Sequence, residues 1–324
     1  MRLVLFSALL APLVGAPETP SVTVEAGTQV TKTFTNTLRM DLVGITIEQG
    51  GEEEEVPEDG LPEVQIADDE EIVVMDEYVS VDGGRGTVIL RTFDSLRNDS
   101  SQTFSLPDGT EEEQSSEGES ELEGRTVRLT WDGDEEAYEA EYADDEDGDE
   151  SLLEGIRGDA DFLFLLPDED VDVGDSWTLD ASVFSRISSP SGDLQIIEDG
   201  EEDSSSDFSR DFEDGLEGEF EATLDSIDEE GVAKITLEGV VETAVDVDVD
   251  TADGPEGLEI VQTFSFQFDL EGELLWDTER GVAASMSLTG AVELDLAATT
   301  SMGEREFVQT QAFEGTFEAS AQFE

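Results

Sequence analysis

Carboxylates dominate the chemistry available to this chain, which carries 86 Asp and Glu, no His and no Cys in 324 residues. Without His there is no Ser-His-Asp triad, no imidazole zinc ligand and no imidazole base that titrates near neutrality. Without Cys there are no disulfides, no thiolate metal sites and no residue to accept a lipid anchor. Paired carboxylates could hydrolyse glycosides. No spacing among 86 acids singles out a pair, however, so no catalytic residue is assigned and the chain reads as non-enzymatic.

Calcium is the other chemistry that carboxylates serve. Asp145, Asp147, Gly148 and Glu154 match four positions of an EF-hand loop. Ala143 stands at the first ligand position and Glu150 where an apolar residue belongs, and no helical pattern precedes them. The runs Asp168-Glu169-Asp170-Val171-Asp172 and Asp246-Val247-Asp248-Val249-Asp250 lack the glycine that would fold a calcium loop. The expectation is no cofactor and no assigned metal ligand, with weak calcium binding left open.

Against the acids stand 14 Lys and Arg, giving a net charge of -72, and Lys32 and Lys234 are the only lysines. Such a surface repels nucleic acid and anionic membranes. Self-repulsion weakens the compact state at low salt, whereas at 1 M salt the Debye length falls to roughly 3 Å. The composition therefore points to a saline habitat. Met1-Arg2, the apolar run Leu3 to Val14 and the pair Gly15-Ala16 have the order of a secretory signal. The run is too short for the ~20 residues of a spanning helix, and the expected location is periplasmic or extracellular.

These side chains must be held by strands, because the dominant pattern is period two. Leu258, Ile260, Gln262, Phe264, Phe266, Phe268, Leu270, Leu274 and Trp276 share one parity, with a return strand carrying Val282 to Leu296 after the turn at Asp277 to Gly281. At ~3.3 Å per residue the first of these approaches 60 Å, so a bulge or bend is expected at Gly272. Further strands are expected at Val22 to Phe34, Leu38 to Ile47, Ile72 to Val81, Thr87 to Phe93, Arg125 to Trp131, Tyr138 to Tyr142 and Ala233 to Val249. Leu152, Leu153 and Ile156, then Val183, Phe184 and Ile187 after an Asp180 cap, have helical spacing. Four acidic segments, Glu48 to Gly60, Asp108 to Glu121, part of Asp132 to Glu150, and Gly192 to Gly215, are too poor in apolar residues to order and are expected as disordered loops.

One phrase resembles a known group. Leu165-Leu166-Pro167-Asp168, followed by Val171-Asp172-Val173-Gly174-Asp175-Ser176-Trp177, is similar to the L-P-x-x-x-V-x-V-G-D-S-W connector of exported bacterial β-rich proteins of unknown function. The likeness covers about a dozen residues and implies a structural joint between two halves. The long meander also resembles the curved half-barrels of periplasmic lipoprotein carriers. By fold analogy alone, that likeness implies an apolar ligand.

The expected fold is mainly β: a long-stranded, antiparallel, curved, half-barrel-like meander with one or two short helices and acidic disordered loops. The expected organisation is a signal peptide over 1–16, an N-terminal half over 17–191, an acidic linker or loop over 192–215 and a C-terminal meander over 216–324, with the two halves open to being one domain. The expected function is a non-enzymatic exported binding or carrier protein of the cell envelope. Its partner would be an apolar ligand or another envelope protein. A structural or surface-interaction protein, using acidic loops for hydration or divalent-cation bridging, is the alternative, and a carboxylate hydrolase the third. A hollow apolar face would mark a carrier and a filled one the structural reading.

Overall fold

Alternating apolar and polar residues build strands that each bury one face, and here the alternation persists for about 20 residues at a stretch. The structure, a computed structural model, describes residues 24–50, 52–105, 110–143, 148–158, 160–167, 169–198, 205–249, 258–302 and 305–324. The expected signal peptide, residues 144–147 and the tract 199–204 lie outside them.

The strands of the N-terminal half are β1 (Gln29–Gln49), β2 (Glu52–Glu55), β3 (Glu63–Asp82), β4 (Arg85–Ser105), β5 (Glu111–Glu119), β6 (Thr126–Asp132) and β7 (Ala137–Tyr142). A central segment follows, with two 3-10 turns at Glu150–Leu153 and Leu163–Leu165, strand β8 (Ser176–Asp180), helix α1 (Val183–Ser188) and the short β9 (Ile197–Glu198). Helix α2 (Ser205–Asp214) leads into the meander of β10 (Glu217–Ile227), β11 (Val232–Val249), β12 (Leu258–Asp277), β13 (Val282–Met302) and β14 (Arg305–Phe323).

All of these strands belong to one antiparallel, open, curved sheet. Its main path runs β7-β6-β4-β3-β1-β14-β13-β12-β11-β10-β8, with β2, β5 and β9 branching from it. The last strand pairs with the first over the span from Lys32↔Phe323 to Gln49↔Phe307, so the two halves of the chain share a single ladder. Among the described residues, no helix is long and apolar enough to cross a membrane.

Several local expectations are corrected. The strands expected at Val22 to Phe34 and Leu38 to Ile47 are one strand, β1, because Thr35, Asn36 and Thr37 stay in register with both β3 and β14. The acidic stretches expected as loops carry β2, β5 and α2. β2 and β5 are ordered by backbone pairing to β1 and β4 while their glutamates remain in water. α2 is ordered by Phe208 and Phe212, four residues apart on one helical face and packed on Phe264 and Phe266. No bulge forms at Gly272; β12 stays in register with β13 up to Leu275.

The glycines of the meander instead permit close backbone approach. A Cβ on Gly272 would lie 2.3 Å from the Ser287 carbonyl oxygen, and one on Gly315 would lie 1.8 Å from that of Arg39. Both glycines sit in central strands, where bare backbone lets the sheet coil.

The central segment lies on the sheet's apolar face and fills its inner part. Phe162 meets Phe34 and Phe323 edge-on at centroid distances of 6.1 and 5.7 Å. Phe184 of α1 packs against Phe268 at 4.6 Å and Phe317 at 5.3 Å. These rings, with Ala160, Leu165 and Ile187, form one continuous core with the strands. The resembled connector is folded into this arrangement: Trp177 Nε1 donates to the Leu165 carbonyl at 3.1 Å, and Gly174 turns with φ +97.

Replacing Gly315 with Ala should lower stability by about 1–3 kcal/mol, because the added methyl meets backbone that cannot move aside. Gly44→Ala, where the nearest atom is the Ala312 Cβ at an ordinary 3.7 Å, should stay within about 0.5 kcal/mol of the parent. Urea unfolding of the two variants in high salt checks both.

Candidate functional site

Charged residues on the buried parity of a strand are costly unless paired, and three neighbouring strands carry one each. Lys32 follows Val30 and precedes Phe34 on β1; Asp76 stands between Val74 and Tyr78 on β3; Arg91 stands between Ile89 and Phe93 on β4. All three are 0% exposed. The register sets Asp76 directly opposite Arg91, which grips it with two parallel bonds, Nε to Oδ1 and Nη2 to Oδ2, both 2.7 Å. Lys32 Nζ donates to Asp76 Oδ2 at 2.6 Å, to the Tyr78 hydroxyl at 3.3 Å and to the Asp161 carboxylate. Tyr78 also donates to Asp161, at 2.7 Å.

Two cations and two carboxylates therefore form a neutral cluster. It joins three strands to the central segment, since Asp161 belongs to that segment and Arg91 Nη1 also donates to the Arg157 carbonyl at 2.6 Å. Burial alone would raise the Asp76 carboxyl, but Arg91 and Lys32 outweigh it and hold the group at about 2. Burial and the neighbouring Asp161 and Asp76 carboxylates push the Tyr78 phenol well above its ordinary value. The cluster is closed to water on the sheet side. Its chemistry is that of a clamp.

The open site lies beside it. A cleft of about 1060 Å³ runs between α2, the Asp68 to Glu70 stretch of β3, Asn98 of β4 and the loop after α1. Phe208, Phe212, Leu194 and Ile196 give it apolar walls. Arg157 enters from the central segment, ion-paired to Glu213 of α2 and donating to the Ser185 carbonyl at 3.3 Å. Glu70 accepts from Asn36 Nδ2 at 2.7 Å, and the same amide donates to the Ser188 carbonyl at the end of α1 at 2.6 Å. Burial, with a smaller contribution from Asp68, raises the Glu70 carboxyl to about 7 against the pull of Asn36.

The calcium-loop candidates are not brought together. Asp145 and Asp147 lie outside the described residues, while Glu154 lines the cleft. Asp246 and Asp248 are exposed on the wet face of β11, alternating with Val245, Val247 and Val249. Among the described residues, no group of three or more His, Cys, Asp or Glu could hold a metal ion. Asp168 also lies outside the described residues, and Glu169, Asp170 and Asp172 are exposed in a loop.

Sequence reasoning passed over Lys32, Asp76, Tyr78, Arg91, Asp161 and Glu70. The first, second and fourth did leave a signal, a charge on the buried parity. No protein-family model matches the chain, and no curated protein matches it.

Asp76→Asn should cost roughly 3–5 kcal/mol, because it leaves Arg91 and Lys32 buried with too little negative charge. In the parent, the folded value of about 2 lies below the unfolded 3.8. Its contribution is thus complete above about pH 4 and disappears as pH falls through 2. Glu70 has the opposite sign: its folded value of about 7 exceeds the unfolded 4.5, so its penalty is absent below pH 4.5 and complete above 7. Glu70→Gln should therefore stabilise the protein by about 2 kcal/mol at pH 8, allowing for partial exposure, and be near neutral at pH 4. Urea midpoints across pH, at constant high salt, separate the two effects.

Proposed function

We propose that this chain is a non-enzymatic binding protein of the cell envelope that takes its ligand in the cleft against α2. The observation that carries this reading is the filled apolar face. Phe162 and Phe184 occupy the space a carrier's hollow trough would leave, so binding moves to the open cleft, where Phe208 and Phe212 face Asn98 and Arg157. Clefts of this size, with apolar walls and a few placed polar groups, suit small amphipathic molecules. Export is supported by the apolar run Leu3 to Val14 behind Arg2.

Binding is favoured over turnover by how three of the five cleft carboxylates, Glu70, Asp68 and Glu213, are engaged. Glu70 accepts from Asn36, Asp68 from Asn98 at 3.2 Å, and Glu213 from Arg157. Each is held by the protein itself, whereas a general acid or nucleophile must reach a substrate atom within hydrogen-bond distance. The structural alternative draws support from the same filled face and from the exposed glutamates of β2 and β5.

Full chain purified from molar salt should carry one extractable small molecule per copy in native mass spectrometry. Phe212→Ala, which removes a wall of the cleft, should weaken its retention at least tenfold. Bare protein in both cases would sink the binding reading. Mass gained only on adding calcium would replace it with the cation-bridging one.

A further inference from the structure

The strands of the meander are longer than the core that covers them. Phe264 packs on the core and on the ring of Phe208, at a centroid distance of 5.3 Å. Beyond it the same face of β11, β12, β13, β14 and β1 continues uncovered. Residues directly opposite in an antiparallel ladder share a face, so the pairing registers define three cross-strand rows there, starting from Phe264, Gln262 and Ile260 of β12. Ile45, Ile47, Val247, Ile260, Leu296 and Phe307 lie in these rows; all are half-buried within one copy and none belongs to the core's packing. Within these five strands the rows hold no Asp, Glu, Lys or Arg, in a chain of which 31% is charged, and β2 continues two of them past β1 with Glu54 opposite Ile47 and Glu52 opposite Gln49.

We infer that this distal sheet face is an interface for a second copy of the same chain. Two molecules that each carry a net charge of -72 can approach only where few carboxylates meet, and the five-strand part of this face presents none. Its β1 edge is bordered by β2, whose Glu52 and Glu54 continue the rows and oppose contact until salt screens them. Five strands spaced ~4.8 Å, and three rows along them, span about 500 Å² in plan, with the corner at Val245 and Phe264 already covered. Two copies then bury somewhat less than about 1,000 Å², the range of weak, transient interfaces. A face of this kind closes on itself about a two-fold axis as a sheet sandwich. The area predicts a weak, reversible, salt-dependent dimer.

Sedimentation velocity of the full chain over a concentration series, in about 2 M KCl and in dilute salt, reads the association directly. The expected result is a dimer that strengthens with salt. Ala298→Glu and Ile47→Glu, both within the rows, should each raise the dimer dissociation constant at least tenfold with circular dichroism unchanged. Thr299→Glu adds the same charge to the opposite face of β13 and should change it less than twofold. A protein that stays monomeric to its solubility limit in 2 M KCl overturns the inference. So does a dimer indifferent to both variants, or one disrupted equally by Thr299→Glu. A monomer whose co-purifying apolar molecule is lost in Ala298→Glu would also overturn it, assigning the face to a ligand.

Discussion

Four paired charges, three of them fully buried, hold the two layers of this molecule together. The sequence supplies only 14 cationic side chains, yet Lys32 and Arg91 are placed where no water reaches them. Their partners are Asp76, from the strand between them, and Asp161, from the segment that covers the sheet. A buried pair gives little net stability over an apolar replacement, but a broken one is severely destabilising. The arrangement therefore fixes position more than it adds energy. It specifies which part of the apolar face the central segment must occupy and at what height, because Asp161 and the Arg157 carbonyl each have one place to go.

That placement matters because the surface offers so little pairing. With acids outnumbering bases about six to one, most exposed carboxylates face solvent or one another; Glu48 of β1 even lies directly opposite Glu53 of β2. Like charges across a ladder destabilise it, and molar salt reduces the penalty by shortening the screening length to a few ångströms. The same charges protect the sheet. Glutamates line β2 and β5, where unpaired backbone would otherwise invite another strand. Stability thus rests on the ladder and on ring packing inside, while the outer surface is arranged for solubility.

The long strands, the curved sheet and the turn at Asp277 to Gly281 were legible, because period two is read directly from parity. β1 was split in two on paper since Thr35, Asn36 and Thr37 interrupt the apolar rhythm; in the fold their polar atoms bond across strands, as Thr35 does to Ser320 and Asn36 to Glu70. β5 was unreadable for a different reason. A solvated edge strand needs only a backbone partner, and composition does not reveal one. The clamp left a readable trace in Lys32, Asp76 and Arg91, each a charge among apolar residues of its own parity. Asp161 left none, since it comes from an irregular segment whose path is set by tertiary contact. The cleft was equally invisible, its walls being brought together from β3, β4, α2 and the loop after α1.

Strand length is the remaining asymmetry. Ordering a residue costs roughly 1–2 kcal/mol of backbone entropy, and hydrogen bonding returns only about 1 kcal/mol net, so strands normally extend no further than their core. Here the core ends near Phe264 and Phe313, whereas β12, β13, β14 and β1 run on by several residues whose apolar-face register meets no charge until Arg305 at the start of β14. The inner two-thirds of the sheet satisfies its own hydrophobic demand through the clamped central segment. The outer third does not, and in a molecule otherwise sheathed in carboxylate it is the surface whose composition answers to contact and not to solvent.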